Sequence, residues 1–339
     1  GATTATVSRV TNGATSVGAD YRARVEAAVN ALSFRPQPSA RAIRGGRTGL
    51  LGMLLPRLDL DTFIRMADGA IAQAAKLGCG IVLMSSEGSS VVEQQRLAQL
   101  ARMPLDGLIF RPVSRHGSYD EAKSLIHTPL VGIGLTDRNA PVPGVFVAAE
   151  QSAYIAARYL LRIGRRRIAM TIPFRELAVG SLGELEALVQ SGQTHIGVQR
   201  YLGYRRALQE AGIAFDPALI LFQTFTREGG YRVAAQLLAL DVPADALICA
   251  NDEAALGALT FLREQGVHVP RQVSLIGFDD SAICQATSPT LTSVNFHSNE
   301  AGQQAVRILH ALIHNQSPAP EDMTSTVSLV IRNSTCALP

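Results

Sequence analysis

From Gly49 onward, short apolar runs alternate with amphipathic stretches, and this alternation constrains the fold more than any other feature of the chain. Apolar runs of about four to eight residues predict buried strands, and longer segments with apolar residues on one face predict helices. Parallel strands need a crossover between them, which is usually a helix. The pattern therefore predicts an α/β fold with helices on both faces of parallel sheets.

The predicted elements form two similar series. The first has strands at 50–55, 80–84, 107–110, 130–133 and 145–147, and helices at 63–77, 91–101 and 118–125. The second has helices at 151–163, 201–211, 229–240 and 253–265, strands at 167–172, 219–223, 246–250 and 273–276, and a final strand at 328–332. Two series in tandem predict two lobes with a cleft between them, and ligands are expected at the carboxyl ends of the strands.

The first 48 residues differ from the rest of the chain in charge. They contain seven arginines against two acids, a net charge of +5, whereas the remaining 24 basic and 26 acidic residues give −2. A local excess of positive charge predicts a polyanionic partner such as DNA. A solvated basic tail is the alternative, but apolar residues recur at helical spacing and favour a folded element. These residues are Val25, Ala28, Val29, Leu32 and Phe34.

Several classes of protein are disfavoured. A chain of 339 residues with 47% hydrophobic residues predicts two or three domains. No apolar stretch approaches the ~20 residues of a membrane span and no secretory signal is visible, so we expect a cytoplasmic protein without a membrane partner. The four cysteines are far apart in the sequence, which argues against a zinc site or a redox pair.

Polar and aromatic residues follow several predicted strands or begin helices. Carboxylates and amides can bind paired hydroxyls, an Arg offers several donors, and an aromatic ring stacks on an apolar ring face. The candidates are Phe63, Arg200, Phe225, Asn251 and Asp279, with Asp252 and Asp280 adjacent to two of them. Each has a structural alternative, since Asp and Asn often cap helices and Phe in an amphipathic helix is usually core.

Taken together, six blocks resemble the lactose/galactose repressor (LacI/GalR) family of bacterial transcriptional regulators. They are TATVSRVTNG, RVEAAVNALSFRP, ARAIRGGRTGLLGMLLP, RYLGYRRALQEAG, ICANDEAALGAL, and VSLIGFDDS with PTLTSV, in family order. The resemblance implies an all-α helix-turn-helix headpiece, a hinge helix and a two-lobed core like periplasmic sugar-binding proteins. It also implies a homodimer on a near-palindromic double-stranded DNA operator. The family's first headpiece helix would precede Gly1, so we expect a headpiece that lacks it.

The expected domains follow from this resemblance. The headpiece is 1–34, the hinge is 35–48 and the effector-binding and dimerisation core is 49–339. Within the core, the N-lobe is expected to comprise about 49–147 plus 278–297, and the C-lobe about 148–277 plus 298–339. By composition alone, 35–48 would read as a plain linker.

The resemblance also assigns the residues expected to contact DNA. Thr4, Ala5 and Arg9 occupy positions that read bases in the major groove, where Arg pairs with guanine. Ala40, Ile43 and Arg44 belong to the hinge, where an apolar side chain wedged into the minor groove kinks DNA. The residues expected at the DNA backbone are Thr3, Thr6, Ser8, Asn12, Tyr21, Arg22 and Arg24.

The function implied is an effector-responsive, sequence-specific regulator, a repressor of an operon for the use of a sugar or sugar acid. Phe63, Arg200, Phe225, Asn251 and Asp279 fall at effector-cleft positions, and no cofactor besides the small-molecule effector is expected. Alternatives are a solute-binding protein of a transport system, or a family regulator that responds to a purine, a nucleoside or a protein.

An enzyme is disfavoured by the sequence. No glycine-rich phosphate loop follows a strand, and no Ser/His/Asp set has a recognisable context. His310 and His314 could share a helix face, but no third metal ligand is evident.

Departures from the family pattern concern the first-lobe loop, a position after the crossover strand and one insertion. Asp59 and Asp61 stand in the first-lobe loop, and Ala148 and Ala149 replace a common acid. The stretch 175–199 is longer than usual and predicts a short extra helix, which would act as a lid, a dimer contact or an ornament.

Overall fold

The computed structural model describes residues 7, 10, 18–31, 47–113, 118–173, 180–192 and 194–337. Its contacts divide the chain into two units, Gly1–Gly49 and Leu50–Pro339, and each is described by itself.

In the first unit, the described helix is α1, Ala19–Ala31. Asp20 lies in its first turn, where a carboxylate interacts favourably with the helix dipole. Val25 is buried, Val29 is half-buried and Ala28 is exposed, so only part of the predicted apolar face is covered. Val10 is also buried in this unit. Leu32 and Phe34 lie outside the described residues.

The first lobe of the second unit is a five-stranded parallel sheet with strand order β2-β1-β3-β4-β5. Its strands are β1 Leu50–Leu55, β2 Gly80–Ser85, β3 Gly107–Phe110, β4 Leu130–Leu135 and β5 Gly144–Phe146. The helices between them are α2 Asp61–Lys76, α3 Ser90–Leu100 and α4 Ser118–Leu125.

The second lobe is a six-stranded sheet with order β11-β10-β9-β8-β6-β7, parallel except that β11 runs antiparallel to β10. Its strands are β6 Ile168–Pro173, β7 Ile220–Gln223, β8 Ala246–Ile248, β9 Ser274–Phe278, β10 Thr292–Asn295 and β11 Ser328–Val330. The remaining helices are α5 Ala149–Arg162, α6 Leu182–Gln190, α7 Ile196–Glu210, α8 Arg227–Leu238, α9 Asp252–Glu264, α10 Ile283–Ala286 and α11 Ser298–Ile313.

Both sheets are buried on two faces, which explains why their strands are continuous apolar runs. In β1, Leu51 and Met53 pack with α2 and α11, while Leu54 packs with α3 on the opposite face. This is the two-residue period of a strand, and each fully buried Leu stabilises the fold by roughly 1.5–3 kcal/mol. In the second lobe, α5 and α7 cover one face of the sheet and α8 and α9 cover the other.

The structure corrects the expected division of the core after residue 277. Residues 278–297 were expected in the N-lobe, but Thr292 of β10 pairs with Ile276 of β9 in the second sheet. Residues 298–339 were expected in the C-lobe, but α11 packs on α2 and on the first sheet, and the chain returns to the second sheet only at β11.

Two glycines explain the position of α11. A Cβ on Gly69 would lie 1.9 Å from the Asn299 carbonyl oxygen, and a Cβ on Gly302 would lie 2.0 Å from that of Met66. The backbones of α2 and α11 therefore approach at a distance that only glycine allows.

The predicted extra helix within 175–199 is present as α6. Ser181 and Glu184 form a capping box at its start, which satisfies two backbone donors that a helix terminus leaves open. Leu185 is fully buried in the core that α5 and α7 form with the second sheet. This helix is consequently an integral part of the second lobe. Residues 174–179 and Gln193 lie outside the described residues.

Candidate functional site

A cavity of about 770 Å³ of atom-free space, partly open to solvent, lies between the two lobes at the carboxyl ends of their strands. Its wall includes all five residues predicted from the sequence to bind the effector: Phe63, Arg200, Phe225, Asn251 and Asp279. The structure thus brings together residues that are up to 216 positions apart in the chain. Most of the residues in the wall are apolar, as is usual for small-molecule pockets.

Arg200 contributes a fixed cation to the cavity from the second lobe. It lies in the second turn of α7, which begins five residues earlier than predicted from the sequence, and its side chain is buried. The guanidinium carbon lies 3.9 Å from the centroid of the Phe278 ring, and Nη1 donates a hydrogen bond of 2.7 Å to the Ala250 carbonyl. Stacking and hydrogen bonding together hold the charge in place.

Asn251 caps a helix and also lines the cavity. It is the N-cap of α9, and its side-chain oxygen accepts a hydrogen bond of 2.9 Å from the Ala254 backbone N–H. The helix-cap alternative therefore holds for Asn251, which also lines the cavity.

Asp252, the next residue, is absent from the cavity wall and organises the turn that follows β9. Its carboxylate accepts hydrogen bonds from the Ser281 backbone N–H at 2.7 Å and from the Ser293 hydroxyl at 2.6 Å. Burial raises the pKa of Asp252 to about 6, against the opposing effect of these hydrogen bonds.

Asp279 is the acid that lines the cavity. It directly follows β9 and has a φ of 98°, an uncommon conformation for a residue other than glycine. No described residue donates a hydrogen bond to its carboxylate, and burial, followed by the nearby Asp252, raises its pKa to about 7. A carboxyl group held in this conformation without a protein donor is suited to a ligand that brings its own.

Asp280, by contrast, has protein partners. Its carboxylate pairs with Arg332 at 2.6 Å and accepts a hydrogen bond of 3.0 Å from the Asn295 amide. It acts as a structural residue of the turn.

The two phenylalanines come from opposite lobes. Phe63 is buried in the core of the first lobe and also lines the cavity, so the core interpretation holds and its position is compatible with the predicted binding role. Phe225 is half-buried in the loop between β7 and α8. Two rings on opposite lobes can hold an apolar ring face between them.

Arg111 is a cavity residue that the sequence reasoning missed. It directly follows β3, its guanidinium carbon lies 5.4 Å from the Phe63 ring centroid, and Nη1 donates a hydrogen bond of 2.8 Å to the Gly134 carbonyl. Its position at the carboxyl end of the apolar run Gly107–Phe110 makes it a candidate, as for Asp279, but this position alone does not distinguish a cavity arginine from a solvated one.

Two hydrogen bonds join the lobes beside the cavity. Arg65 of α2 donates through Nη2 to the Asp280 carbonyl at 2.8 Å, and Gln199 of α7 donates to the Thr136 carbonyl at 2.8 Å. Both hydrogen bonds would break if the two lobes moved apart.

Each of the two loop acids that depart from the family pattern forms an ion pair with an arginine nearby in the sequence. Asp61 forms an ion pair of 2.6 Å with Arg65, and Asp59 pairs with Arg57 at the surface. Neither acid lines the cavity.

Three of the residues expected at the DNA backbone lie on α1. Tyr21 is 53% exposed, Arg24 is exposed with its guanidinium carbon 5.7 Å from the Tyr21 ring centroid, and Arg22 is half-buried. The other predicted DNA-contacting residues lie outside the described residues: Thr3, Thr4, Ala5, Thr6, Ser8, Arg9, Asn12, Ala40, Ile43 and Arg44.

Metal sites and membrane-spanning helices are absent from the described part of the chain. His310 and His314 do share a face of α11, with ring centroids 4.0 Å apart, but no described group of three His, Cys, Asp or Glu residues is arranged to hold a metal ion. None of the helices in the described ranges combines the length and apolar character needed to cross a lipid bilayer.

Comparison with known proteins gives two family matches. Residues 1–37 match the bacterial regulatory proteins of the lacI family, and residues 157–335 match the periplasmic binding protein-like domain. The HTH-type transcriptional regulator RegA of Clostridium saccharobutylicum is 27% identical over 335 residues, which cover 99% of this chain and 96% of RegA.

Solved structures agree with these matches. The complex of the transcriptional regulator CelR with cellobiose has a TM-score of 0.72 and 25% identity, and the match covers 96% of this chain and 94% of CelR. The Lac repressor dimer bound to operator and an anti-inducer has the same fold, with a TM-score of 0.80 and 24% identity over 98% of this chain and 95% of that one. The chain belongs to the lacI family of bacterial regulatory proteins, and it is a transcriptional regulator.

Proposed function

We propose that this regulator binds a small hydroxyl-bearing molecule, a sugar or a sugar acid, in the cavity between its lobes, and that this binding controls its affinity for an operator. The observation that carries the proposal is the cavity wall, in which Arg200 and Asn251 of the second lobe meet Phe63 of the first. The complex of its relative CelR with cellobiose supports a sugar-type ligand.

The wall fits such a ligand chemically. Asp279 offers an acceptor without a protein donor, which suits a pair of vicinal hydroxyls. Phe63 and Phe225 approach from opposite lobes and suit the apolar face of a sugar ring. The protein binds the effector and releases it unchanged, since its output is a change in DNA affinity.

Coupling to DNA follows from contacts that only one arrangement of the lobes allows. The hydrogen bonds from Arg65 to Asp280 and from Gln199 to Thr136 form only when the lobes are close. A ligand that contacts both lobes stabilises that arrangement by its differential affinity, typically about 1–3 kcal/mol.

We propose that the chain contacts DNA through the residues that the family resemblance assigns. Thr4, Ala5 and Arg9 read bases in the major groove, and Ala40, Ile43 and Arg44 act in the minor groove of a near-palindromic operator bound by a homodimer. The exposed Arg24 and Tyr21 of α1 suit contacts to the DNA backbone.

The test is a thermal-shift screen of the full chain against sugars, sugar acids, sugar phosphates, polyols and nucleobases. Ligand at a hundredfold excess over its Kd stabilises the native state by about 2.7 kcal/mol, so binding is readily detected. A positive ligand is then added to a DNA-binding assay, where it should change operator affinity by about fivefold or more.

A pair of variants ties the result to the cavity. Phe225→Ala should abolish the thermal shift, whereas Phe215→Ala, a half-buried aromatic residue of the same lobe that does not line this cavity, should retain it. A hit that Phe225→Ala leaves intact would exclude this cavity as the effector site. A blank across every class would exclude a small-molecule effector of these kinds.

A further inference from the structure

Arg111 is a cation in the cavity wall without an anionic partner. Within the described ranges, no carboxylate oxygen lies within 4.0 Å of its guanidinium nitrogens, the limit for an ion pair. Nη1 is the atom that donates hydrogen bonds, to the carbonyls of Gly134 at 2.8 Å and, more weakly, Ile133 at 3.4 Å. Nε is buried and has no hydrogen-bond partner. A guanidinium taken out of water without a counter-charge is costly, so this arrangement favours a ligand that supplies one.

The surrounding backbone makes room for this guanidinium. Gly134 has a φ of 71°, and a Cβ there would lie 1.9 Å from Arg111 Nη1. Glycine at this position therefore allows the guanidinium to lie against the end of β4, in the wall of the cavity. The ring of Phe63 lies beside this charge, with its centroid 5.4 Å from the guanidinium carbon.

The charges of the cavity favour an anion as a whole. Among the described lining residues, Arg111 and Arg200 are cations from opposite lobes and Asp279 is the one acid. Burial raises the pKa of Asp279 to about 7, so near neutral pH this group carries only part of a negative charge and cannot offset both arginines. An uncharged ligand would leave one buried and one half-buried arginine facing the same space without an added negative charge.

We propose that the effector carries an anionic group, a carboxylate or a phosphate, bound by the guanidinium of Arg111, with its hydroxyl-bearing body toward Asp279. Two parallel N–H donors of an arginine match two oxygens of either group, and such charge-assisted pairs are stronger than neutral ones. This inference rests on the proposed function and narrows its ligand class from sugars in general to acidic ones.

The experiment is isothermal titration of the full chain with matched ligand sets. Each set contains a neutral sugar, its aldonic or uronic acid and its phosphate ester, for example D-glucose, D-gluconate, D-glucuronate and D-glucose 6-phosphate, with equivalent sets for other hexoses and pentoses. In the set that binds, an anionic member should bind about 10- to 100-fold more tightly than the neutral sugar. Comparison of the affinities for the sugar acids and for the phosphate ester shows which anion the site binds.

Two variants localise the effect. Arg111→Gln should lose about 10- to 100-fold in affinity for the anionic ligand and little for the neutral one. Arg138→Gln, an exposed arginine of the same lobe outside the cavity, should change neither. Inorganic phosphate should raise the Tm of the wild type above that in chloride of equal ionic strength, and Arg111→Gln should remove this difference while remaining folded.

Each outcome bears on the inference separately from the proposed function. A neutral sugar that binds as tightly as its acid and its phosphate, and still changes DNA affinity, would overturn the anionic effector and leave the proposed function standing. The proposal of an anionic effector is also contradicted if Arg111→Gln weakens the binding of the acid and of the neutral ligand equally. If no ligand of any set binds, the proposed function and this inference both fail.

Discussion

Replacing Asp279 with Asn should stabilise the ligand-free protein, and the gain should grow with pH. The pKa of this carboxyl rises from 3.8 to about 7 on folding because the group is buried beside Asp252. The folded protein therefore holds the proton more tightly than the unfolded chain. The contribution of this group to stability is fully present below pH ~4 and is lost as pH rises through 7.

The size of the effect follows from the shift in pKa. A rise of about three pKa units lowers the free energy of unfolding by roughly 4 kcal/mol above pH 7, and somewhat under half of this loss is already present at pH 5. Asn cannot ionise, so the advantage of Asp279→Asn over the wild type should grow by roughly 3 kcal/mol between pH 5 and pH 8. At ~2–4 °C per kcal/mol, this corresponds to a difference in Tm that widens by roughly 6–12 °C.

The assay is thermal or urea unfolding of wild type and variant in steps from pH 5 to pH 8. Asp280→Asn is the matched control, because Asp280 stands in the same turn with a positive φ but pairs with Arg332 at 2.6 Å. Its replacement should destabilise the protein at neutral pH, opposite in sign to Asp279→Asn. Parallel pH profiles for the wild type and Asp279→Asn would refute the reasoning, because they would mean that Asp279 ionises as freely in the folded state as in the unfolded chain.

Further predictions concern the contact between the lobes, the headpiece and ligand binding. Arg65→Ala removes the hydrogen bond to the Asp280 carbonyl and should weaken effector binding by about three- to tenfold, measured by titration calorimetry; an unchanged Kd would mean that this bond does not stabilise the bound arrangement. Arg9→Ala should reduce discrimination between operator and random DNA by about 1–3 kcal/mol in anisotropy titrations, whereas equal losses on both DNAs would assign Arg9 to the DNA backbone. A ligand whose hydroxyls donate to ionised Asp279 should bind more tightly as pH rises from 6 to 8, and a flat profile would argue against that contact.

The strands and the cavity could be predicted largely from the sequence because they depend on local patterns. The apolar runs at 50–55 and 107–110 coincide with β1 and β3, since a strand buried on both faces needs a continuous apolar stretch. Asp279 could be found because it directly follows such a run, and the family resemblance assigned it to the cleft.

Other features depend on contacts between distant parts of the chain. An apolar face such as that of α11 does not specify which sheet it covers, and its place in the first lobe is fixed by the close approach of Gly69 and Gly302 to neighbouring backbone. Arg111 follows a predicted strand just as Asp279 does, but nothing local distinguishes a cavity arginine from a solvated one. The division of roles between Asp252 and Asp279 likewise required the hydrogen-bond partners to be located.

The central claim is that occupation of the cavity between the lobes controls DNA binding. The most direct measurement is the affinity of the full chain for an operator selected from random double-stranded DNA, determined by fluorescence anisotropy with and without a saturating ligand from the thermal-shift screen. Wild type should show a change of about fivefold or more, and Phe225→Ala should show none while keeping its affinity for the ligand-free operator. An operator affinity that does not change when the cavity is saturated would contradict the claim.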